Sequence, residues 1–152
     1  MSDGNAPRYD KEPHLSVIAD AQSDTAPAPL NDYFVECDGA RFAGLHLIID
    51  FWGAKRLDDL KFIEATLREA VDAAGATLLH IHLHHFTENN GVSGVAVLAE
   101  SHISIHSWPE HDYAALDIFM CGETEPQRAV DVLRQAFDPD RVEIGEHHRG
   151  RL

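Results

Sequence analysis

Cysteine is scarce in this chain of 152 residues, and long apolar runs are absent. The two cysteines, Cys37 and Cys121, are too few for a disulfide framework, which favours a reducing, cytoplasmic compartment. No segment approaches the roughly 18 consecutive apolar residues that a membrane helix requires. The first residues also lack a basic region followed by an apolar stretch, so we expect neither secretion nor membrane insertion.

Basic residues are few as well: 12 Lys and Arg stand against 26 Asp and Glu, for a formal net charge of -14. Such a chain has no basic stripe to displace the counterions of DNA or RNA, so nucleic acid is not an expected partner. The 44% of apolar residues and 25% of charged residues are typical of a globular protein of one domain.

Residues 1–30 differ in composition from the rest of the chain. They hold Pro7, Pro13, Pro27 and Pro29, four of the seven prolines, and show no usable hydrophobic period. We predict a flexible leader over residues 1–30 and a folded domain over residues 31–152.

Hydrophobic periodicity in the folded part predicts an alternation of strands and two helices. Alternating apolar residues predict strands at residues 44–52, 77–86, 93–99, 101–107 and 113–121, and a last strand around Val142 and Ile144. A stripe of period 3.6 predicts a first helix over residues 57–74, ended by Gly75. A second helix opens at residues 124–126 and closes at Asp138.

Three of these strands have two unlike faces. The aliphatic faces carry Leu79, Ile81, Leu83, Ile103, Ile105, Leu116, Ile118 and Met120. The opposite faces carry His80, His82, His84, His102, Ser104, His106, Tyr113, Asp117, Phe119 and Cys121. Two helices can cover only the aliphatic side, so we predict a two-layer α+β sandwich with its helices on one face of an antiparallel sheet. The polar side is expected to face a partner subunit, giving a dimer with an α/β/β/α arrangement.

Eleven histidines are an excess for a chain of this length, and they suggest a site. His80, His82 and His84 alternate on one strand face, where they could share a zinc or iron ion. No acidic or cysteine partner stands at a diagnostic spacing, so a metal-binding protein is kept as an alternative of a different class and no metal ligand is assigned. Their other interpretation is the polar lining of an interface.

The segment at residues 99–110, AESHISIHSWPE, brings a hydroxyl, two imidazoles and a carboxylate together. A serine hydrolase would need a G-x-S-x-G turn between a strand and a helix, but Ser101 lies between two predicted strands. This segment and residues 114–122, AALDIFMCG, resemble the bacterial S-adenosylmethionine decarboxylase proenzymes. The resemblance spans residues 42–151 and leaves the leader uncovered.

The resemblance implies that the chain cuts itself between Glu100 and Ser101, into residues 1–100 and residues 101–152. The Ser101 hydroxyl would attack the Glu100 carbonyl, and elimination and hydrolysis would leave a covalent pyruvoyl group derived from Ser101, the cofactor that forms a Schiff base with the substrate amine. The resemblance also implies that His106 accepts the Ser101 α proton during processing and that Ser93 assists processing.

Three further roles rest on the same resemblance. Cys121 matches the proton donor in decarboxylation, a task that suits a thiol with an ordinary pKa of about 8.5. Phe86 matches the aromatic residue that stacks on adenine, and Glu110 matches the carboxylate that binds the ribose hydroxyls. From the residues alone, Cys121 reads as a small buried apolar side chain, Phe86 as a core residue at a strand end and Glu110 as a solvated turn residue.

The implied function is pyruvoyl-dependent decarboxylation of S-adenosylmethionine to S-adenosylmethioninamine, the aminopropyl donor for spermidine, by a homo-oligomer of cleaved chains that is expected to be a dimer. A pyruvoyl decarboxylase of ornithine or arginine remains an alternative, because a scaffold does not choose its substrate. An uncut subunit without activity is a third interpretation, which the intact Glu100-Ser101 pair, Ser93 and His106 disfavour.

Overall fold

The computed structural model describes residues 33–37 and 39–152. The predicted flexible leader at residues 1–30 lies outside the described residues and stays a prediction. Within them, the strands are β1 (Val35–Cys37), β2 (Ala40–Phe42), β3 (Gly44–Trp52), β4 (Leu78–His85), β5 (Val92–Leu98), β6 (Ser101–Trp108), β7 (Tyr113–Met120) and β8 (Arg141–Arg149). The helices are α1 (Leu60–Ala73), α2 (Pro126–Phe137) and a short 3-10 turn at Pro109–His111.

Six of the strands form one antiparallel sheet in the order β4-β5-β6-β7-β3-β8, and β1 pairs with β2 in a separate hairpin. Strands β4 to β7 follow one another as neighbours, whereas β3 inserts between β7 and β8 through contacts distant in sequence. The predicted strands at the positions of β3 to β7 are confirmed to within two residues at their ends. The strand around Val142 is longer than its two apolar residues indicated.

Helix α1 begins three residues later than predicted. The Oδ1 atom of Asp59 accepts a hydrogen bond of 3.0 Å from the Phe62 amide and caps the helix there. The predicted stop at Gly75 is confirmed: Gly75 has a φ of +70°, and the Ala76 amide donates to the Val71 carbonyl at 3.1 Å.

Both helices pack on one face of the sheet, as the predicted two-layer α+β sandwich requires. The buried side chains between the layers include Leu47, Ile49, Phe51, Ile63, Leu67, Val71, Ile103, Ile105, Leu116, Ile118, Leu133 and Phe137. The prediction that Leu79 belongs to this core is wrong. The register of β4 shifts between Leu78 and His80, so Leu78 packs toward the core and Leu79 is 64% exposed.

The opposite side of the sheet, here named the polar face, carries the side chains predicted for it. Directly paired residues of antiparallel strands share a face, which places Asp117 beside Ser104, His106 beside Ser93, and Phe119 beside His102. No described element of the chain packs a second layer onto the polar face. Among the residues that the structure describes, no helix is long and apolar enough to cross a bilayer.

Candidate active site

The turn between β5 and β6 holds the predicted cleavage site. Leu98 pairs with Ser101, so only Ala99 and Glu100 form the turn. The Thr77 amide donates to the Glu100 carboxylate at 2.8 Å, and the Ala99 amide donates to the Thr77 carbonyl at 2.9 Å. Ser101 itself has a φ of +141°, an uncommon conformation for a residue with a side chain. Hydrogen bonds with Thr77 therefore hold both residues of the turn, and the peptide bond after Glu100 joins the turn to a residue with a strained backbone.

Cys121 lies directly against this peptide. Both its backbone N–H and its thiol donate to the Glu100 carbonyl oxygen, each at 3.1 Å. Two donors on one carbonyl oxygen polarise it and would stabilise negative charge developing there. Burial, together with the Glu100 carboxylate, raises the pKa of the Cys121 thiol, so the sulfur keeps its proton at neutral pH.

A chain of hydrogen bonds connects Ser101 to the interior of the polar face. The Oγ atom of Ser101 lies 3.2 Å from Nδ1 of His102, and Nε2 of His102 lies 3.0 Å from Oδ1 of Asp117. Nε2 of His46 approaches the same Oδ1 at 2.9 Å, and the Ser104 hydroxyl donates to Oδ2. We call these five residues the serine–histidine network.

Asp117 is the anionic centre of the serine–histidine network. Partial burial opposes its ionisation, but hydrogen bonds from Ser104, His46 and His102 outweigh that effect and lower the pKa of Asp117. Arg149 lies at the far end of the network, where its Nη1 is 3.0 Å from Nδ1 of His46.

Histidine and aspartate side chains in this arrangement could instead bind a metal ion. His46, His102 and Asp117 offer ligand atoms within 4.8 Å of one another, whereas His80, His82 and His84 make no such group among the described residues. In the geometry described, both imidazole Nε2 atoms already hydrogen-bond to Asp117, and a guanidinium stands against His46. This donor set fits a hydrogen-bond network better than a cation site, because the guanidinium would repel a cation.

Ser93 and His106 form a second group on the polar face. The Ser93 hydroxyl lies 2.9 Å from Nδ1 of His106, and the two residues are direct cross-strand partners. The His106 ring also lies 6.4 Å from the Trp108 ring, in a tilted arrangement.

A groove of about 430 Å³ adjoins this second group. Its lining residues are Phe86, Glu88, Asn89, Ser93, Ser107 and Trp108. Glu110 stands beside the groove, where its carboxylate accepts a hydrogen bond of 3.0 Å from the Asn89 amide. That hydrogen bond lowers the pKa of Glu110, so the carboxylate is ionised at neutral pH. We call Phe86, Ser93, His106, Trp108 and Glu110 the groove end.

The structure therefore separates the predicted site residues into two groups. Ser101 and Cys121 lie at the end of the sheet where β6 begins and β7 ends, and together with the serine–histidine network they form the junction end. Ser93 and His106 lie at the groove end. Ser101 and His106 are five residues apart on the extended strand β6, which corresponds to about 16 Å. Within one chain, His106 does not reach Ser101.

Four residues of the serine–histidine network received no role from the sequence: His46, His102, Ser104 and Asp117. His102 and Asp117 were placed on the polar face, but only the structure shows that they are linked to Ser101. The signal available in the sequence was the shared face alone, because alternation puts both side chains on the polar side of their strands. The register of β6 and β7 then sets His102 and Asp117 two residues apart along the sheet.

Known proteins are similar to this chain over the part that holds the sheet and the two helices. A family model described as S-adenosylmethionine decarboxylase matches residues 45–150. The S-adenosylmethionine decarboxylase proenzyme of Thermomicrobium roseum is 46% identical over 110 residues, which cover 72% of this chain and 95% of that protein. The proenzyme of Methanococcus vannielii is 48% identical over 110 residues, covering 70% of this chain and 89% of that protein.

A solved structure shares the fold. The crystal structure of the adenosylmethionine decarboxylase from Aquifex aeolicus superposes with a TM-score of 0.66 at 37% sequence identity. The match covers 72% of this chain and 92% of that one.

Proposed function

The chain belongs to the S-adenosylmethionine decarboxylase family, and we propose that it is a proenzyme that cuts its own backbone between Glu100 and Ser101 before it decarboxylates S-adenosylmethionine. The product is S-adenosylmethioninamine, which retains the aminopropyl group. The proposal rests above all on one observation: the Glu100 carbonyl receives two donors from Cys121 while the next residue is strained.

The junction end suits an attack by Ser101 on the Glu100 carbonyl. The strain at Ser101 raises the energy of the intact peptide relative to the products, and Cys121 stabilises the oxyanion that forms on Glu100. The same geometry fits a pyruvoyl group made from Ser101, because this residue is the first of β6 and directly follows Glu100. A pyruvoyl group at that position supplies an electron sink for the cleaved carbon–carbon bond.

Cys121 is the proposed proton donor in decarboxylation. Its thiol is partly buried, keeps its proton at neutral pH and lies 3.1 Å from the carbonyl that precedes Ser101. A protonated acid beside the reacting residue can protonate the product carbon in place of water.

The groove end is the proposed site for the nucleoside part of the substrate. Phe86 is 40% exposed and presents an aromatic surface to the groove, which suits stacking against adenine or contact with a sulfonium cation. The ionised carboxylate of Glu110 suits the hydroxyls of a ribose.

A homodimer would bring the two ends together. Since about 16 Å of strand β6 separates Ser101 from His106, we propose that two copies pack their polar faces so that the groove end of one copy meets the junction end of the other. His106 of the second copy would then accept the Ser101 α proton, and Ser93 would support His106 through their 2.9 Å contact.

Denaturing electrophoresis with intact-mass measurement tests the self-cleavage. The purified wild-type chain is expected to give two fragments, residues 1–100 and residues 101–152, while Ser101→Ala gives one full-length chain. Active wild-type protein that consists of the full-length chain alone would rule out this function.

Release of labelled carbon dioxide tests the substrate. Carboxyl-labelled S-adenosylmethionine, ornithine and arginine are supplied separately to the cut protein, and we expect release from S-adenosylmethionine alone. Faster release from ornithine or arginine would instead support the alternative decarboxylase.

A further inference from the structure

We propose that His102, oriented by Asp117, is the base that takes the proton from the Ser101 hydroxyl when the chain cuts itself. This inference rests on the proposed function, because it assigns a residue to the self-cleavage. His102 touches the attacking oxygen and would be a catalytic residue of processing, whereas Asp117 would be a positioning residue.

The contacts favour His102 over the other histidines of the polar face. Its Nδ1 lies 3.2 Å from Ser101 Oγ, within hydrogen-bond reach of the proton to be removed. His46 is turned toward Asp117 and Arg149, and His106 toward Ser93.

The serine–histidine network also fixes which nitrogen of His102 carries the proton. Arg149 has only N–H donors to offer, so its contact makes Nδ1 of His46 an acceptor and leaves the His46 proton on Nε2, facing Asp117. Asp117 is ionised, so its carboxylate accepts hydrogen bonds from three donors. They are Nε2–H of His46, the Ser104 hydroxyl and Nε2–H of His102. The lone pair of His102 is therefore on Nδ1, the atom that faces Ser101.

The proposed step is an N-to-O acyl shift that balances without any co-reactant. Ser101 Oγ forms a bond to the Glu100 carbonyl carbon as its proton passes to Nδ1 of His102. The bond between that carbon and the Ser101 nitrogen then breaks, and the same proton passes from His102 to the departing nitrogen. The amide becomes an ester with a free amine, and His102 returns to its initial state. Asp117 stabilises the transient imidazolium through the 3.0 Å contact with Nε2.

His102 and His106 would act at different steps. His102 acts before the ester forms, whereas His106 is proposed to take the α proton from the ester during elimination. A variant of His106 should therefore accumulate the ester, and a variant of His102 should not. Hydroxylamine distinguishes the two, because it cleaves an ester at neutral pH and leaves an amide intact.

The test follows the cutting of the full-length chain after a pulse of labelled amino acid in cell-free translation. We expect His102→Ala to cut at least about a hundredfold more slowly than wild type, the usual contribution of a positioned base. Added imidazole should restore part of the rate. Hydroxylamine should release no fragments from His102→Ala, but should release them from His106→Ala.

A double-mutant comparison of cutting rates tests whether Asp117 acts through His102. Asp117→Asn should slow cutting by roughly tenfold or more in the wild-type background, yet have no further effect in His102→Ala, because a positioning residue acts only through the group that it orients. The matched control is His148→Gln on β8, at the same end of the sheet but on the other face. It should cut at the wild-type rate.

The outcomes separate this inference from the proposed function. If wild type does not cut, the proposed function fails. If wild type cuts and His102→Ala cuts equally fast, the inference is overturned. It is also overturned if His102→Ala cuts slowly but ignores imidazole, or if it yields fragments with hydroxylamine. His102→Gln, with its Tm measured beside wild type, repeats the test in a variant of closer shape if His102→Ala is unstable.

Discussion

The two ends of the polar face are built in different ways. The junction end is dense in hydrogen bonds: the side chains of His46 and Asp117 are only 16% and 27% exposed, and each polar atom at its centre has a partner. The groove end is open, with Phe86 and Trp108 exposed by 40% and 38% beside a groove. A rigid, strained junction is suited to breaking a bond of the chain itself, whereas an open aromatic groove is suited to taking up a ligand.

In the proposed mechanism, neither end is complete within one chain. Strand β6 runs from one to the other and keeps Ser101 and His106 about 16 Å apart. The chemistry proposed for this protein needs both ends, and a second copy is the simplest source of the missing one.

The largest expected effect is complementation between two inactive variants. Ser101→Ala and His106→Ala each lack one end, and we expect neither to decarboxylate S-adenosylmethionine alone. Co-expressed, they should form mixed dimers in which one of the two sites has both residues, giving roughly a quarter of the wild-type activity overall. Carbon dioxide release from the purified mixture measures this recovery.

A second pair of variants is the control for this experiment. Activity should recover only when the two changed residues lie at different ends of the polar face. Ser101 and Cys121 lie at the same end, so co-expressed Ser101→Ala and Cys121→Ala should recover no activity. Recovery in this second mixture, or none in the first, would contradict the division of each site between two copies.

A smaller effect is expected from Cys121→Ala, which should slow decarboxylation much more than self-cleavage. The backbone N–H of residue 121 still donates to the Glu100 carbonyl, and the lost thiol is a weak donor. The chain should therefore still cut itself, slowed by less than the roughly hundredfold expected for loss of a strong oxyanion donor. Decarboxylation to the normal product should fall by about a hundredfold or more, because the proton donor is lost. Band intensities on a gel and the kcat for carbon dioxide release measure the two effects, and unchanged kcat would remove the role of the thiol.

The smallest expected effect is that of Phe86→Ala at the groove end. Loss of the aromatic surface should raise the KM for S-adenosylmethionine by roughly tenfold, the value of one stacking or cation–π contact, with little change in cutting. Leu79→Ala, which also removes an exposed apolar side chain but lies outside the residues lining the groove, is the control and should keep the wild-type KM. A faster or slower cut with an unchanged KM in Phe86→Ala would place this residue in processing and not in binding.

The sequence predicted most of the fold because its signals are local. The alternation in β3 and β6, the stripe of α1 and the cap at Gly75 each depend on a few neighbouring residues. The hairpin β1-β2 was not predicted, since three-residue strands are too short to show a period. The exposure of Leu79 was also missed, because a bulge changes which residues face the core without changing their order.

The sequence by itself determined the chemistry available to this protein: a serine after a glutamate, imidazoles on one strand face and a single thiol downstream, recognisable because these types follow one another along the chain. Only the tertiary structure decided which groups meet. It pairs β6 with β7 so that His102 lies between Asp117 and Ser101, and it holds His106 at the other end of the same strand. The physical reason is that strand periodicity sets the face of a side chain, whereas register between strands distant in sequence sets its neighbours.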